Sequence, residues 1–223
     1  NSFEYVVRGN PKDADARDYL NYVTSLLGQG QNSSIQDPVN PVEIPGGYEQ
    51  PKEAKYTDEP SVINRVVKSV YFKKGEPERT TYYYDFSIHA DAGIAQHSKY
   101  VFTFDPLREK IFVNKLEVVS KDRARKTVGK AEEYYVIDEV DDQNIATGKK
   151  ELRIVVPGLE VGSRGQLMIS RESLQPVKSY GFSSTYLSYG NKVQSSEFFL
   201  CGDVAAVAAS ELNLEERRVG KEC

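Results

Sequence analysis

The chain has no tryptophan, one methionine, two histidines and two cysteines in 223 residues, and each scarcity narrows what it can do. Without tryptophan the usual ring for stacking on a sugar is missing. His89 and His97 are the only imidazoles available as general bases. No apolar run approaches the length needed to cross a bilayer. A net charge of -4 and a pI near 5.4 leave no basic footprint for nucleic acid. Gly-rich phosphate loops, H-E-x-x-H, paired C-x-x-C and G-x-S-x-G are absent as well. The sequence therefore nominates no catalytic, cofactor-binding or metal-binding residue. Asn1-Ser2-Phe3-Glu4 shows neither an initiator methionine nor a signal-peptide pattern, so the numbering is expected to begin inside a longer protein.

What is abundant points to β-structure: 15 tyrosines, 9 phenylalanines and many valines and isoleucines. Near the start, Tyr19, Leu20, Tyr22, Val23, Leu26 and Leu27 recur at spacings of three and four, which predicts a helix over 11–27 stopped by Gly28. Residues 1–28 are read as a short helical segment. Residues 29–60 hold five prolines and no periodicity, the composition of a linker. From Ser61 the texture becomes short apolar segments with regular turn signals. The run Val62, Ile63, Val66, Val67, Val70 fits a helix stripe, but its β-branched content and its continuation into Tyr71-Phe72 favour a strand. TTYYYDFSIHA (80–90) alternates Tyr82, Tyr84, Phe86 and Ile88 against Thr81, Tyr83, Asp85 and Ser87. SKYVFTF, KIFVNKLEVVS, AEEYYVID, LRIVV, QLMIS, SYGFSSTYLSYG (179–190) and KVQSSEFFLCGDV add further strands. The expected fold is mainly β, an antiparallel β-sandwich-like domain over 61–214, preceded by a short helix and a linker.

Three groups of residues invite a chemical reading. Cys201 precedes an Ala-rich run, and nucleophilic cysteines often sit at helix N-termini. Nothing in the spacing brings His89 or His97 to it, and Phe198-Phe199-Leu200 before it predicts a buried, inert thiol. Asp138, Glu139, Asp141 and Asp142 lack the spaced oxygen ligands and pivotal glycine of a calcium loop, which favours a solvated turn. Tyr82 and Tyr84 alternate with Phe86 toward a core, leaving Tyr83 as the one exposed ring of the tyrosine run. The last nine residues, EERRVGKEC (215–223), resemble the translation of a common short-read sequencing adapter. With Cys223 discounted on that ground, Cys201 stands alone and an internal disulfide is excluded.

The order of segments is more distinctive than any one of them. DAGIAQHSKYVFTFDPLREKIFVNKLEVV (91–119) is followed by DEVDDQNIATGKKELRIVVPGLEVGS (138–163) and QLMISRE. In the second segment, Pro157-Gly158 halts one strand and Gly162 precedes the next, with Val155 and Ile169 expected in the core. Over about residues 58–214 this resembles an uncharacterised β-domain found N-terminal to transglutaminase-like domains in bacterial envelope proteins. Ser120-Lys121-Asp122-Arg123-Ala124 departs from it, since the family has an Asp-Gly turn there. The resemblance implies a non-catalytic accessory module in the periplasm or outside the cytoplasm, whose partners are a downstream transglutaminase-like domain and a protein or cell-wall substrate. It implies no catalytic residue in this chain, no cofactor, no nucleic acid and no membrane span. The helix at 11–27 would fit the tail of helical repeats. A free-standing ligand- or carbohydrate-binding β-module is the alternative.

Overall fold

The computed structural model describes residues 38–46, 58–129, 133–143, 145–178, 192–203 and 219–220. The helix expected over 11–27, the strand expected over 179–190 and most of 215–223 lie outside these residues. Among the described residues the chain forms eleven strands and one short helix. They are β1 (Ser61–Phe72), β2 (Pro77–Ile88), α1 (Asp91–His97), β3 (Lys99–Phe104), β4 (Glu109–Val119) and β5 (Lys126–Val128). After these come β6 (Tyr134–Val140), β7 (Ala146–Val155), β8 (Arg164–Pro176), β9 (Lys192–Val193), β10 (Ser196–Gly202) and β11 (Val219–Gly220).

A large sheet runs β11-β10-β1-β2-β8-β4-β5, with β9 also on β1, and a small sheet runs β3-β7-β6. The fold is mainly β and sandwich-like, as the alternation implies. The pairs β1–β2, β2–β8, β8–β4 and β4–β5 are antiparallel, whereas β9 and β10 join β1 in parallel. That central place explains the ambiguity of β1 in the sequence. Both of its faces are buried at almost every position, so the period-two contrast that marks a half-solvated strand is lost.

The inner faces of the sheets meet in one core. Phe86, Ile88, Ile111, Val113, Leu116, Val118, Leu167 and Ile169 come from the large sheet, and Phe104, Leu152 and Ile154 from the small one. The chain passes between sheets four times, at β2–β3, β3–β4, β5–β6 and β7–β8. VPGLEVGS is the last of these passages. Val156 N–H donates to Ser98 (2.9 Å), Gly162 N–H to the Ile88 carbonyl (2.8 Å), and Ile88 N–H to Ser163 (3.0 Å). Gly158 and Gly162 take φ of 69° and 89°, a region closed to most side chains. Ile169 is in the core as expected, but Val155 is 40% exposed and Val156, at 6%, points inward instead. β7 already directs Leu152 and Ile154 inward, so alternation turns Val155 out, and the turn then folds Val156 back.

Two expectations need correction here. Asp91–His97 forms the seven-residue helix α1, where the sequence suggested only strands and turns. Residues 38–46, assigned by composition to a linker, lie against the outer face of the large sheet, with Val39 and Val42 only 2% and 5% exposed. Burying two valines stabilises the segment by about 1.5–3 kcal/mol each, and side chains of the sheet bond its backbone, as detailed below. Pro and Asn content predicts the absence of helix and ladder correctly. It carries no information on whether the segment docks.

Candidate functional site

His97 ends α1 and sits between the sheets, 2% exposed. Its ring stacks on Phe86 with centroids 4.2 Å apart and planes within 5°. Ser61 Oγ donates to Gln96 Oε1 at 2.6 Å, so its lone pair accepts from His97 Nε2–H at 3.0 Å. Nδ1 is then left to accept from the Tyr100 hydroxyl at 2.7 Å. The result is a directed chain of four residues from β1, α1 and β3. Burial pushes the His97 pKa down to about 4 and pushes the Tyr100 hydroxyl far up, so both are neutral and fixed.

A serine hydroxyl 3.0 Å from an imidazole is the spacing of a nucleophile and its base. Here the donor order is reversed: the imidazole gives its proton to the serine, and the serine gives its own to a glutamine. Ser61 is 2% exposed and stands beneath α1. The arrangement ties helix to sheet. No sequence motif announced it, because its members are scattered over 61–100.

The residues singled out in the sequence fall apart in space. Cys201 is paired in register with Tyr71 at one end of β1, while His97 bonds Ser61 at the other. Ten residues of strand separate them, roughly 30 Å at about 3.3 Å per residue. Cys201 is buried at 2% exposure, as expected. It is disulfide-bonded rather than a lone thiol. His89 Nδ1 contacts the Glu59 carbonyl at 3.1 Å. The acidic loop is a β6–β7 hairpin turn. Asp141 Oδ1 accepts from the Gln143 and Ile145 amides at 2.9 Å each, Glu139 pairs with Thr147, and Asp138 pairs with Lys150 at 3.1 Å. Among the described residues no group of three or more His, Cys, Asp or Glu side chains is placed to hold a metal ion. Tyr84 packs on the core as expected. Tyr83 is half-buried rather than exposed, its hydroxyl reaching Asp85 at 3.3 Å.

Two polar clusters were not read from the sequence. On the outer face of the large sheet, Asp85 is 2% exposed. It accepts from Arg164 Nε and Nη2 (2.7 and 2.6 Å), Asn64 Nδ2 (2.9 Å) and Gln166 Nε2 (3.0 Å). Asn64 occupies the bulge between Ile63 and Arg65, which turns its amide toward the carboxylate. On the inner face, beyond the main core, Lys68 Nζ and Arg171 Cζ lie 5.8 and 5.9 Å from the Tyr82 ring centre. Burial lowers the Lys68 pKa and raises that of Glu78 nearby. The alternation of β2 places Asp85 and Tyr82 on opposite faces, but these partners come from β1 and β8. Only the cross-strand register could have shown them.

Comparisons with known proteins complete the description. A family model described as "Domain of Unknown Function with solved-structure structure (DUF3857)" matches residues 77–215. Among solved structures the chain is similar to a "putative protease" from Parabacteroides distasonis ATCC 8503, with 13% identity, a TM-score of 0.48, and coverage of 54% of this chain. The matched stretch spans only 24% of that protein. It is also similar to the CBM3a-L domain with flanking linkers from the cipA scaffoldin of the Clostridium thermocellum cellulosome (9% identity, 53% and 75% of the two chains, TM-score 0.28). A family 3a carbohydrate-binding module from the same scaffolding gives 9% identity, 53% and 84% coverage and a TM-score of 0.26. No curated protein matches the chain. At these scores the structural likenesses carry no inference about function.

Proposed function

We propose, since this chain belongs to the DUF3857 family, a domain of unknown function, that it serves as a non-catalytic accessory domain of a larger bacterial envelope protein. In this reading it precedes a transglutaminase-like or cysteine-peptidase-like domain in the same polypeptide. It positions that domain or holds its protein or cell-wall substrate, outside the cytoplasm. The observation that supports the reading most is how the reactive side chains are used. His97 and Ser61 are locked in one hydrogen-bond chain beneath α1, Asp85 is saturated by four neighbouring side chains, and Cys201 is buried and bonded. The first two tie elements of the fold together.

The parent gene provides the test. Reading it downstream should reveal a Cys…His…Asp set on an alternating α/β pattern, and a stop codon soon after Leu214 would sink the proposal. The expressed parent should then transfer or hydrolyse amides in a thiol-dependent way and fractionate with the cell envelope. Replacing the downstream cysteine by alanine should abolish that activity, whereas His97→Gln should leave it within a few fold at neutral pH. Loss of turnover in His97→Gln protein that remains folded would instead place the chemistry in this domain.

A further inference from the structure

The segment 38–46 reads PVNPVEIPG. Pro38, Pro41 and Pro45 fix φ near −65°, and each proline pushes the residue before it to extended backbone. The repeat Pro-Val-x-Pro-Val-x has the three-residue period of a polyproline II helix. Burial follows the same period: Val39 and Val42 are buried, while Pro38, Asn40, Pro41 and Glu43 are exposed. A polyproline II segment makes no internal hydrogen bonds, so its carbonyls and remaining amides must be satisfied from outside.

The large sheet does this with side chains from three of its strands. Asn114 Nδ2 on β4 donates to the Val39 carbonyl at 2.8 Å. The Val42 amide donates to Thr81 Oγ1 on β2 at 2.8 Å. Ser69 Oγ on β1 donates to the Glu43 carbonyl at 2.9 Å. Arg65 Nη2 donates to the Pro45 carbonyl at 2.9 Å while its Nε and Nη2 grip Glu197 of β10, also at 2.9 Å. The spacing matches as well. Three residues of polyproline II rise about 9.3 Å, and two strand spacings are about 9.6 Å. From Val39 to Val42 the segment moves from β4 to β2, two strands over. From Val42 to Pro45 it moves from β2 to the Arg65–Glu197 pair joining β1 and β10, again two strands over at the far end.

Beneath it lies a trough. Ser69, Thr81 and Ser170 stand side by side on β1, β2 and β8, all fully buried at 0% exposure. Larger neighbours form rows on either side: Val67, Tyr83 and Met168 on one, and Tyr71, Arg79 and Glu172 on the other. Arg79 stacks over the Tyr71 ring at 4.7 Å. These four contacts to the segment are all to its backbone, and among its described side chains the two valines are buried. This is how a receptor reads a peptide's conformation with little dependence on its sequence.

We propose that this face is a binding groove for polyproline II peptides, that residues 38–46 are its ligand in cis, and that release of this strap opens the groove to a proline-containing peptide in trans. The ligand class is an extended segment with proline and a small apolar residue recurring every third position.

The test uses the full chain carrying Val39→Asp and Val42→Asp, which expels the strap, and a fluorescent peptide PVNPVEIPG. Saturable one-to-one binding to this variant is expected, with little binding to wild type, whose groove is filled. A peptide with its three prolines changed to alanine should bind at least about tenfold more weakly, having lost its preorganisation. Far-UV circular dichroism checks that the variant is folded. A folded variant that takes up no peptide, or a wild type that binds equally well, overturns the proposal. Should the variant unfold, hydrogen exchange on wild type decides: excess peptide should speed exchange of the Val42 amide and leave the centre of β2 unchanged. An unchanged Val42 rate also overturns it.

Discussion

Arg123 takes φ 58°, alone among the described non-glycine residues in having positive φ, at the turn where this chain departs from the Asp-Gly of the family it resembles. Left-handed backbone costs an L-residue about 1–2 kcal/mol, and glycine in the unfolded chain gives back about 0.5–1. Arg123 is exposed, so Arg123→Gly should stabilise the protein by about 0.5–1 kcal/mol, read as a higher urea midpoint with an unchanged slope. A lower midpoint would show that the arginine side chain contributes something its exposure does not suggest.

His97 supplies a pH dependence with a definite sign. Burial lowers its folded pKa from 6.5 to about 4, so between those values the unfolded chain binds the proton and the folded one does not. Its contribution to stability is complete above pH 6.5 and is lost as pH falls toward 4. At about 1.36 kcal/mol per pK unit the loss is on the order of 3 kcal/mol. Urea titrations from pH 7 to 4 should show this slope in wild type. In His97→Gln it should shrink by about one proton, and an unchanged slope would assign the acid sensitivity to other groups.

At the scale of elements, the tightest constraint joins β2 to β8. Gly165 stands directly opposite Phe86, and a Cβ there would lie 2.1 Å from the ring. Phe86 has little room to withdraw, because His97 stacks on its ring with centroids 4.2 Å apart and the core closes around it. Gly165→Ala should therefore destabilise the protein by at least about 1–3 kcal/mol, the usual cost of overpacking. Equilibrium denaturation would show it, and a neutral result would mean that the strands can part without loss. The alternation in TTYYYDFSIHA made the inward face of β2 legible. It could not show that the residue facing Phe86 must have no side chain, since Gly165 lies far along the chain. For the same reason the helix α1 escaped notice: seven residues with a glycine give weak helical propensity, and packing of Gly93 and His97 supplies what propensity does not.

For the whole molecule the decisive feature is the alternation of the chain between sheets. The sequence passes from large to small and back twice between β2 and β8, so neither sheet can be completed while the other is absent. The described domain should unfold as one unit. Far-UV dichroism and tyrosine near-UV signals should then give coincident thermal and urea transitions. Separated transitions would mean that the small sheet and α1 form an independent unit.

By itself the sequence determined the local matters: which segments extend, where they turn, and which side of β2, β3 and β8 is apolar. These follow from sterics and burial repeated at short period, and every residue involved is close to the next in the chain. Only the tertiary structure decided that Asp85 meets Arg164, that His97 meets Ser61, and that a proline-rich stretch lies in a trough of Ser69, Thr81 and Ser170. Such contacts depend on the pairing register of strands distant in sequence. Composition cannot encode that register, because a shift of one residue would keep every count the same and turn every side chain to the other face.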